Sequence, residues 1–409
     1  MPPLETSVSD ETVSRRPSAT LLIERVEVLV VSLPQRRPHP TATRARRLGE
    51  YVIVKVFAGG LVGLGEATVL KEWGGDFGRY YGEHPATTAK LITEVFAPAL
   101  LGKDAMQFER LLDEMNLAAK GYPYAKASLD IAVHDVVGKA LGVPVYQLLG
   151  GRYRQEVPIA HSLGILSTDA LLEEVAIAVS EGVRTIKLKV GLDSDRDVEV
   201  VRRVRELVGD GITISVDANR AWGTPKNAIR TIRRMEPYGL AFAEQPVEGL
   251  HDMAVVTRSV DTDIMADETA WSPEDVLDIA RADAANLISI YTTKPGGLHR
   301  ALKVAAVADA AGFLYNVNGS HETGVGNAAN LHLACALRNC KLACVLPVSA
   351  PEDHRQTAIA GRSYLDDIIT EPFEYRSGSL FVSDRPGLGV ELDEEKVRKY
   401  LQGSVAVVA

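Results

Sequence analysis

The chain has 409 residues, of which 46% are hydrophobic and 24% are charged, and its formal net charge is −9. This length is too great for one ordinary core and predicts two domains. Because charges of both signs are interspersed and their sum is negative, no positive field exists to attract nucleic acid or an anionic membrane, and a small-molecule protein is favoured.

Residues 1–20 are polar and lack the apolar segment of a signal peptide, so they are predicted to form a disordered tail. No apolar run reaches the ~18 residues of a membrane span. The three cysteines, Cys335, Cys340 and Cys344, have no CxxC spacing and are interpreted as reduced core thiols, with a metal or redox role as the alternative. Together these features predict a cytoplasmic protein.

The first part of the chain predicts an α+β domain. Three segments rich in β-branched residues read as strands: 21–33, 51–58 and 61–67. The pattern then turns helical between residues 85 and 142. We assign residues 21–150 to this capping domain and expect residues 365–409 to return to it and complete it.

From residue 151 to 364 short apolar runs alternate with helical patterns. Eight runs are strand candidates: 157–163, 185–191, 212–219, 240–245, 263–268, 286–291, 313–318 and 342–347. Helix start signals occur in the gaps, at Thr168, Thr224 and Ser272. No glycine-rich phosphate motif follows the first strand, so the alternation favours a closed α/β barrel over an open sheet. Because irregular chain replaces the last helix, we predict a (β/α)7β modified TIM barrel.

Polar residues stand where the predicted barrel strands end. In chain order they are Lys187, Lys189, Asp217, Asn219, Glu244, Asp267, Glu268, Tyr291, His321 and Glu322. Active sites of such barrels lie at this edge, so we expect these side chains to converge on one mouth.

Three carboxylates on adjacent strands, Asp217, Glu244 and Asp267, predict a divalent metal site. They cannot share a dry mouth unless a cation neutralises them, and all-oxygen ligation suits Mg²⁺ or Mn²⁺. The alternative is that each acid caps the helix that follows it. The shared register of all three favours the metal.

Lys187 and Lys189 lie two residues apart and therefore point to the same face of their strand. An edge strand with lysines in water is one interpretation. A strand inside a closed barrel has no edge, however, and a lysine beside Mg²⁺ and a second ammonium can exchange a proton at neutral pH. We predict Lys189 as the acid/base catalyst and Lys187 as its electrostatic neighbour.

These residues resemble the enolase superfamily, in particular its mandelate racemase/muconate lactonizing enzyme family, over about residues 21 to 400. The matching motifs are GEATVLK (65–71), the segment 124–151, the Lys-x-Lys pair, VDAN (216–219), AEQP (243–246), ADE (266–268), KPGG (294–297) and ETGVG (322–326). Lysine and Mg²⁺ chemistry is known for such sites.

The resemblance implies roles for individual residues. Asp217, Glu244 and Asp267 would bind Mg²⁺, and Lys189 would exchange a proton on one face of the substrate α-carbon. Glu322 matches a seventh-strand carboxylate of the lactonizing enzymes, and Asn219 matches their inner polar group.

One position departs from the family pattern. Members able to racemise read Lys-x-x-Lys-x-Gly-Gly on the sixth strand, whereas this chain has Tyr291 first and keeps Lys294. A phenol with an ordinary pKa of ~10 is a poor base and a good hydrogen-bond donor. We therefore expect one-base chemistry, with His321 as a candidate second acid.

Two loops bear on the substrate. The loop 34–49 contains five arginines, Arg36 among them, and no acid, which favours a dianionic substrate, although a solvated basic loop is an equal alternative. Segment 71–83, with Trp73, is interpreted as a second lid. The residues expected to bind substrate are Asn219, Glu268, Lys294, Arg36 and Trp73.

The leading functional hypothesis is a Mg²⁺-dependent cycloisomerase that forms a lactone from a muconate-type dicarboxylate. A dehydratase of a hydroxy or sugar acid is the alternative, and a racemase or epimerase is less favoured. Two further hypotheses remain. One is Schiff-base aldol cleavage through an inner lysine, and the other is a barrel that is retained only for ligand binding. The partner is expected to be a small carboxylate, and the protein a homo-oligomer.

Overall fold

The computed structural model describes residues 20–37, 39–42 and 49–409. All of the predicted tail except Thr20 therefore lies outside the described residues. Residues 38 and 43–48 of the arginine-rich loop also lie outside them. The amino-terminal part contains a four-stranded antiparallel sheet, whose fourth strand comes from the end of the chain. Its first three strands are the predicted ones: β1 (Ile23–Ser32), β2 (Glu50–Ala58) and β3 (Leu61–Ala67).

Helices cover one face of this sheet. They are α1 (Pro85–Leu91), α2 (Ala97–Leu100), α3 (Phe108–Ala118), α4 (Pro123–Leu141) and α5 (Val145–Leu148), with a π-helical turn at Ile92–Phe96. Helix α4 packs directly on β3, where a Cβ at Gly63 would lie 2.0 Å from Ala132 O and one at Gly65 would lie 1.8 Å from Ser128 O. Only glycine allows the helix and the strand to approach so closely.

The second part is a parallel α/β barrel, as predicted. Its strands, adjacent in chain order, are β5 (Ala160–Leu163), β6 (Thr185–Lys189), β7 (Thr213–Asp217), β8 (Leu240–Glu244), β9 (Asp263–Ala266), β10 (Leu287–Ile290) and β11 (Leu314–Val317). The helices between and after them are α6 (Thr168–Ser180), α7 (Ser194–Val208), α8 (Pro225–Met235), α9 (Leu250–Thr257), α10 (Pro273–Ala282), α11 (Leu298–Ala310) and α12 (Gly324–Ala336).

Two of the predicted barrel strands differ from expectation. The first is split, because Glu156–Pro158 (β4) leaves the barrel and pairs with the later strand at Ser379–Phe381. The eighth, at 342–347, is not a regular strand. Single parallel bridges join Cys340 to Tyr315 and Cys344 to Ile159, and these contacts close the ring between β11 and β5.

The last residues contact both parts of the molecule. Short strands β12 (Tyr375–Arg376) and β13 (Ser379–Phe381) lie beside β4, whereas helix α13 (Glu394–Tyr400) is followed by β14 (Ala406–Val408), which pairs with β1. The domain boundaries that we assigned from the sequence stay predictions.

The barrel core and the cap core are apolar and largely separate. All three cysteines are buried free thiols, and Cys340 Sγ lies 3.6 Å from Cys344 Sγ. Among the described residues, none of the helices has the length and apolar character needed to cross a bilayer.

Candidate active site

A cavity opens at the carboxyl ends of the barrel strands. Seven of the residues predicted for the site line it: Trp73, Lys187, Lys189, Asn219, Asp267, Tyr291 and His321. Ser162 near the end of β5 and Val345 of the eighth segment also line it. The barrel therefore brings together side chains from six strand ends and one residue of the segment 71–83, because each β/α unit returns the chain to the same edge.

Lys187 lies in the middle of the charged cluster. Its Nζ donates to Glu244 Oε1 at 2.6 Å and lies 3.0 Å from Asp217 Oδ2. Burial alone would lower the pKa of Lys187, but the surrounding carboxylates outweigh burial and raise it above the ordinary value. Strand β6 pairs with β5 on one side and β7 on the other. The edge-strand interpretation is therefore wrong.

Lys189 is two residues further along β6 than Lys187 and lies nearer to the opening of the cavity. Its Nζ lies 2.5 Å from Asp217 Oδ2 and 2.8 Å from Asn219 Oδ1. Strand register places Lys189 directly beside Asp217, and Asn219 adopts a left-handed backbone with φ 43° that turns its amide towards the lysine. The ammonium thus has two fixed acceptors and remains in contact with the cavity.

The three predicted metal ligands are buried on neighbouring strands. Asp217 and Glu244 are register partners, and Asp267 follows the end of β9. Burial raises the pKa of Glu244 well above its usual value, and the charge of Asp217 adds to this effect. Burial also opposes ionisation of Asp217, but Lys187 and Lys189 outweigh it and hold the pKa of Asp217 below the usual range.

The donor set fits a hard divalent cation. Glu244 Oε2 is buried and accepts no hydrogen bond from any residue that the structure describes. Carboxylate oxygens are the ligands that Mg²⁺ prefers. Within the described ranges, no three acidic, histidine or cysteine side chains stand together as a ready-made metal cluster, and the Lys187 ammonium occupies the space between Asp217 and Glu244.

The helix-cap alternative for the three acids is not supported. Helices α8, α9 and α10 begin several residues further along the chain, after their own cap residues Thr224, Gly249 and Ser272. The acids therefore lie at strand ends, outside the first turn of any of these helices.

Lys294 was expected to bind substrate, but the structure places it behind Asp267. Its Nζ donates to Asp267 Oδ1 at 2.8 Å, to Asp267 O at 2.9 Å and to Ser289 O at 2.7 Å, and the side chain is 1% exposed. All three ammonium hydrogens are used, so this residue orients and neutralises Asp267 from below the cavity floor.

Tyr291 occupies the end of β10. Burial raises the pKa of its phenol well above 10, and the charges of Asp267 and Glu244 add to this effect. The ring packs against Trp73, with centroids 5.3 Å apart, and Lys294 Nζ lies 4.5 Å from the ring centroid. At neutral pH the group is thus a protonated hydroxyl that lines the cavity and can donate a hydrogen bond.

Glu268 and Arg220, a residue that sequence reasoning missed, link Lys189 to the segment 71–83. Glu268 Oε1 accepts from Asn219 Nδ2 at 3.1 Å and lies 3.9 Å from Arg220 Nε. Arg220 Nη1 also contacts Gly75 O and Glu248 Oε1, each at 3.4 Å. The signal in the sequence was the position of Arg220 directly after the VDAN motif.

The segment 71–83 lies on the barrel mouth, as expected of a lid. Thr269 Oγ1 donates to Asp76 Oδ2 at 2.8 Å, and the Phe77 N–H donates to Glu248 Oε1 at 2.7 Å. Tyr80 stacks on Trp271 with ring centroids 4.8 Å apart. These contacts hold Trp73 in place over the cavity.

His321 and Glu322 lie in different surroundings although they are neighbours in the chain. His321 lines the cavity, has φ +66°, and its Nδ1 lies 2.5 Å from Ser363 Oγ. Glu322 is buried and is not among the cavity-lining residues, and both of its oxygens accept from the Ser320 N–H, at 2.8 and 2.9 Å. Of these two residues, His321 is the one placed where it can contact a ligand in this cavity.

Arg36 does not reach this cavity. Its Nη2 lies 2.6 Å from Glu174 Oε1 on helix α6, and its Nε donates to Arg362 O at 3.2 Å. An arginine that is already paired in this way is a poor primary anchor for a substrate carboxylate. The other predicted arginines of this loop, beyond Arg37, fall outside the described residues.

Comparison with known proteins agrees with this architecture. Residues 25–150 match the family model "Mandelate racemase / muconate lactonizing enzyme, N-terminal domain", and residues 170–396 match "Enolase C-terminal domain-like". The chain is 34% identical over 396 residues to muconate cycloisomerase 1-1 of Acinetobacter lwoffii, which covers 95% of this chain and 99% of that protein. It is 30% identical over 380 residues to the N-succinyl-L-Arg/Lys racemase of Bacillus cereus, with 92% and 97% covered.

The solved structure of muconate lactonizing enzyme from Pseudomonas fluorescens, in complex with muconolactone, superposes with a TM-score of 0.85. It is 30% identical in sequence and covers 94% of this chain and 100% of that chain.

Proposed function

The chain belongs to the mandelate racemase/muconate lactonizing enzyme family of the enolase superfamily, and we propose that it is a Mg²⁺-dependent cycloisomerase acting on an unsaturated dicarboxylate of the muconate type. Relatives named as cycloisomerases and as racemases are similarly close to it. The choice between these activities therefore depends on the chemistry of the site itself.

Asp217, Glu244 and Asp267 would hold Mg²⁺ or Mn²⁺, whose charge would stabilise the negative charge that builds up on the substrate carboxylate. Lys187 donates to Glu244 at 2.6 Å, and Lys294 donates to Asp267 at 2.8 Å. These hydrogen bonds keep the two acids oriented. Asn219 and Asp217 hold the Lys189 ammonium so that one of its N–H bonds can face the substrate.

In lactone formation one substrate carboxylate oxygen bonds to an internal alkene carbon. The alkene electron pair shifts to the carbon next to the other carboxylate, and a Lys189 N–H bond breaks as the new C–H bond forms there. The neutral lysine then regains a proton from solvent. Only one protein acid is required for this sequence, and general acid catalysis of this kind contributes ~10²- to 10⁴-fold.

The observation that carries the proposal is Tyr291. A two-base racemisation needs a second group that exchanges protons with the opposite face of the α-carbon. A phenol with an ordinary pKa of about 10 is already a poor base at neutral pH, and burial of Tyr291 raises its pKa further. A one-base reaction such as lactone formation or dehydration is compatible with this phenol, whereas two-base racemisation is disfavoured.

The second candidate is a dehydratase of a hydroxy or sugar acid. It is favoured by His321, which lines the same cavity and could protonate a leaving hydroxyl. In that reaction Lys189 would remove the α-proton and the hydroxyl would leave with the proton from His321, so the products are an enol and water.

The proposal is tested by incubating the Mg²⁺-loaded protein with cis,cis-muconate in D₂O. We expect a muconolactone that carries one deuterium on a single face, and loss of turnover in chelator. Glu244→Gln should also weaken Mg²⁺ binding in calorimetry while the circular dichroism spectrum is retained. Turnover of sugar acids by a protein inert towards muconate would reject the cycloisomerase in favour of the dehydratase.

A further inference from the structure

Gln245 follows Glu244 at the end of strand β8 and is completely buried. Its backbone has φ +40°, a left-handed conformation that residues other than glycine rarely adopt. Backbone hydrogen bonds on both sides hold it there: the Gln245 N–H donates to Met265 O at 2.9 Å, and Gln245 O accepts from the Arg220 N–H at 2.8 Å. Such strain persists only where the surroundings fix it, and it is concentrated at functional sites. Gln245 is therefore a candidate for a role beyond packing.

The side-chain amide of Gln245 joins the end of β8 to the residues that follow β9. Its Oε1 accepts from the Asp267 N–H at 2.9 Å and from the Thr269 N–H at 3.1 Å. Its Nε2 donates to Val247 O at 2.9 Å and to Thr269 Oγ1 at 2.8 Å. A primary amide has two donor hydrogens and two lone pairs, so its capacity is filled and its orientation is fixed. Gln245 thus restricts the backbone that carries Asp267.

Thr269 extends this connection to the lid segment, residues 71–83. Its hydroxyl accepts from Gln245 Nε2 and donates its single hydrogen to Asp76 Oδ2 at 2.8 Å. Two side chains, Gln245 and Thr269, therefore lie between Asp76 and the Asp267 N–H. Arg220 contacts the lid segment by a separate route. The lid is thus linked by hydrogen bonds to the backbone of a predicted metal ligand.

Order at one end of this connection favours order at the other end. When the lid segment is open, the Thr269 hydroxyl loses its acceptor and the backbone of residues 267–269 is less restricted. Metal binding at Asp267 would restrict the same backbone, so the lid would then close onto residues that are already ordered and would lose less conformational entropy. Two events coupled in this way favour each other by the same factor in both directions.

We propose that Gln245 is a positioning residue that couples closure of the lid segment to metal binding at Asp267. This inference rests on the proposed function, because that function assigns Asp267 to the metal. Gln245 acts through the backbone of Asp267 and through Thr269. A purely structural role would stabilise the fold but would leave the affinity for Mg²⁺ independent of Asp76, which does not line the catalytic cavity.

The first test measures Mg²⁺ affinity by calorimetry after changes at the lid end of the connection. Asp76→Ala removes the acceptor, and Thr269→Val removes the hydroxyl but keeps the size of the side chain and the N–H that donates to Gln245. We expect each variant to raise the Kd for Mg²⁺ about fivefold, the lower end of typical coupling strengths. The double variant should raise it no further, because both changes break the same connection. Gln245→Met should raise it at least as much.

Two controls separate coupling from general effects. Thr257→Val removes another half-buried hydroxyl, which donates to Met253 O and Ala284 O on the outer side of the barrel, and should leave the Kd for Mg²⁺ unchanged. Asp76→Asn removes the charge but keeps an acceptor oxygen, so its Kd should stay within about twofold of the wild-type value.

Deuterium exchange of the lid segment gives a second readout from the opposite end. Mg²⁺ should slow exchange of residues 71–83 in the unmodified protein. This slowing should largely disappear in Thr269→Val and Gln245→Met, and it should remain in Thr257→Val.

Unchanged Mg²⁺ affinity in Asp76→Ala and Thr269→Val would overturn the proposal, as would additive effects in the double variant. The same loss in Thr257→Val, or an equal loss in Asp76→Asn and Asp76→Ala, would also overturn it. Muconate turnover does not enter these measurements. Coupling in a protein that is inert towards muconate would support the inference although the proposed reaction had failed, and an active protein without coupling would reject the inference alone. Absence of Mg²⁺ binding in the unmodified protein would reject both.

Discussion

Lys189 Nζ lies 2.8 Å from Asn219 Oδ1, a hydrogen bond that joins the ends of two neighbouring barrel strands. Asn219 in turn donates to Glu268, so the Lys189 ammonium is the first member of a chain of three hydrogen-bonded side chains. A lysine has four rotatable bonds and is positioned only by its acceptors. The geometry of proton transfer therefore depends on strand ends that are 30 residues apart in sequence.

Substitution of Lys189 should remove turnover and leave substrate binding intact. We expect Lys189→Ala to lower kcat by ~10²- to 10⁴-fold, because general acid catalysis is lost. Steady-state kinetics and substrate calorimetry measure the two effects separately. The exposed Lys341→Ala is the control and should behave as the wild type. Full activity in Lys189→Ala would exclude this lysine as the proton donor.

Removal of the lysine below Asp267 should make stability depend on metal. Lys294→Met leaves a buried carboxylate unpaired and should destabilise the metal-free protein by ~3 to 5 kcal/mol. Mg²⁺ should restore more stability to the variant than to the wild type, because the ion replaces the missing charge. Thermal unfolding with Mg²⁺ and with chelator measures this difference.

The matched control is Lys303→Met, which removes the exposed ion pair of Lys303 and Glu109. Exposed pairs contribute ~0 to 1 kcal/mol, so this variant should show a small, metal-independent change. An equal Mg²⁺ effect in both variants would mean that Asp267 is not a ligand.

Tyr291→Lys should introduce proton exchange on the second face of the α-carbon. The new amine would stand at the end of β10 opposite Lys189, where the family pattern has its second base. We expect deuterium to enter from both sides in D₂O, together with slower native turnover because the phenol hydrogen bond is lost. NMR of the recovered acid distinguishes the two faces. Exchange on both faces in the unmodified protein would show that a second base is already present.

Arg220 is expected to hold the lid segment through Gly75 O and Glu248. In Arg220→Met the Phe77 amide, which donates to Glu248, should exchange with deuterium faster, and KM should rise more than kcat falls. Arg230→Met is the control, since Arg230 is exposed on α8 and donates a hydrogen bond to Asn227 of the same helix. Unchanged deuterium exchange at the Phe77 amide in Arg220→Met would show that Arg220 does not hold the lid segment.

Glu66 should make stability depend on pH. Burial raises its pKa from 4.5 to about 8, although Thr323, Thr68 and Gly326 donate hydrogen bonds to it. A raised carboxyl pKa means that the folded state binds the proton more tightly, so this contribution is complete below about pH 4.5 and is lost as the pH rises through about 8. The slope is at most about 1.4 kcal/mol per pH unit.

Urea unfolding of the wild type and of Glu66→Gln between pH 5 and 9 measures this contribution. The difference between the two proteins should change with pH in this direction, whereas other buried acids such as Glu83 affect both proteins equally. A pH-independent difference would show that Glu66 is ionised throughout in the folded protein.

The sequence alone was sufficient to predict the layout of the candidate site. Side chains alternate along a strand, so Lys187 and Lys189 had to share a face, and every β/α unit ends at the same edge, so Asp217, Glu244 and Asp267 had to be neighbours. Both arguments use local periodicity, which is present in the amino-acid order. The family resemblance followed from the same positions.

The tertiary structure determines which charged side chains form pairs with each other. Lys294 was expected in the cavity and lies behind Asp267, and Arg36 was expected at the substrate and is paired with Glu174, 138 residues away. The eighth barrel segment is reduced to single bridges instead of a regular strand. Local pattern specifies the face on which a side chain lies, but the partner of a long charged side chain depends on burial and on competing charges, which only the folded chain brings together.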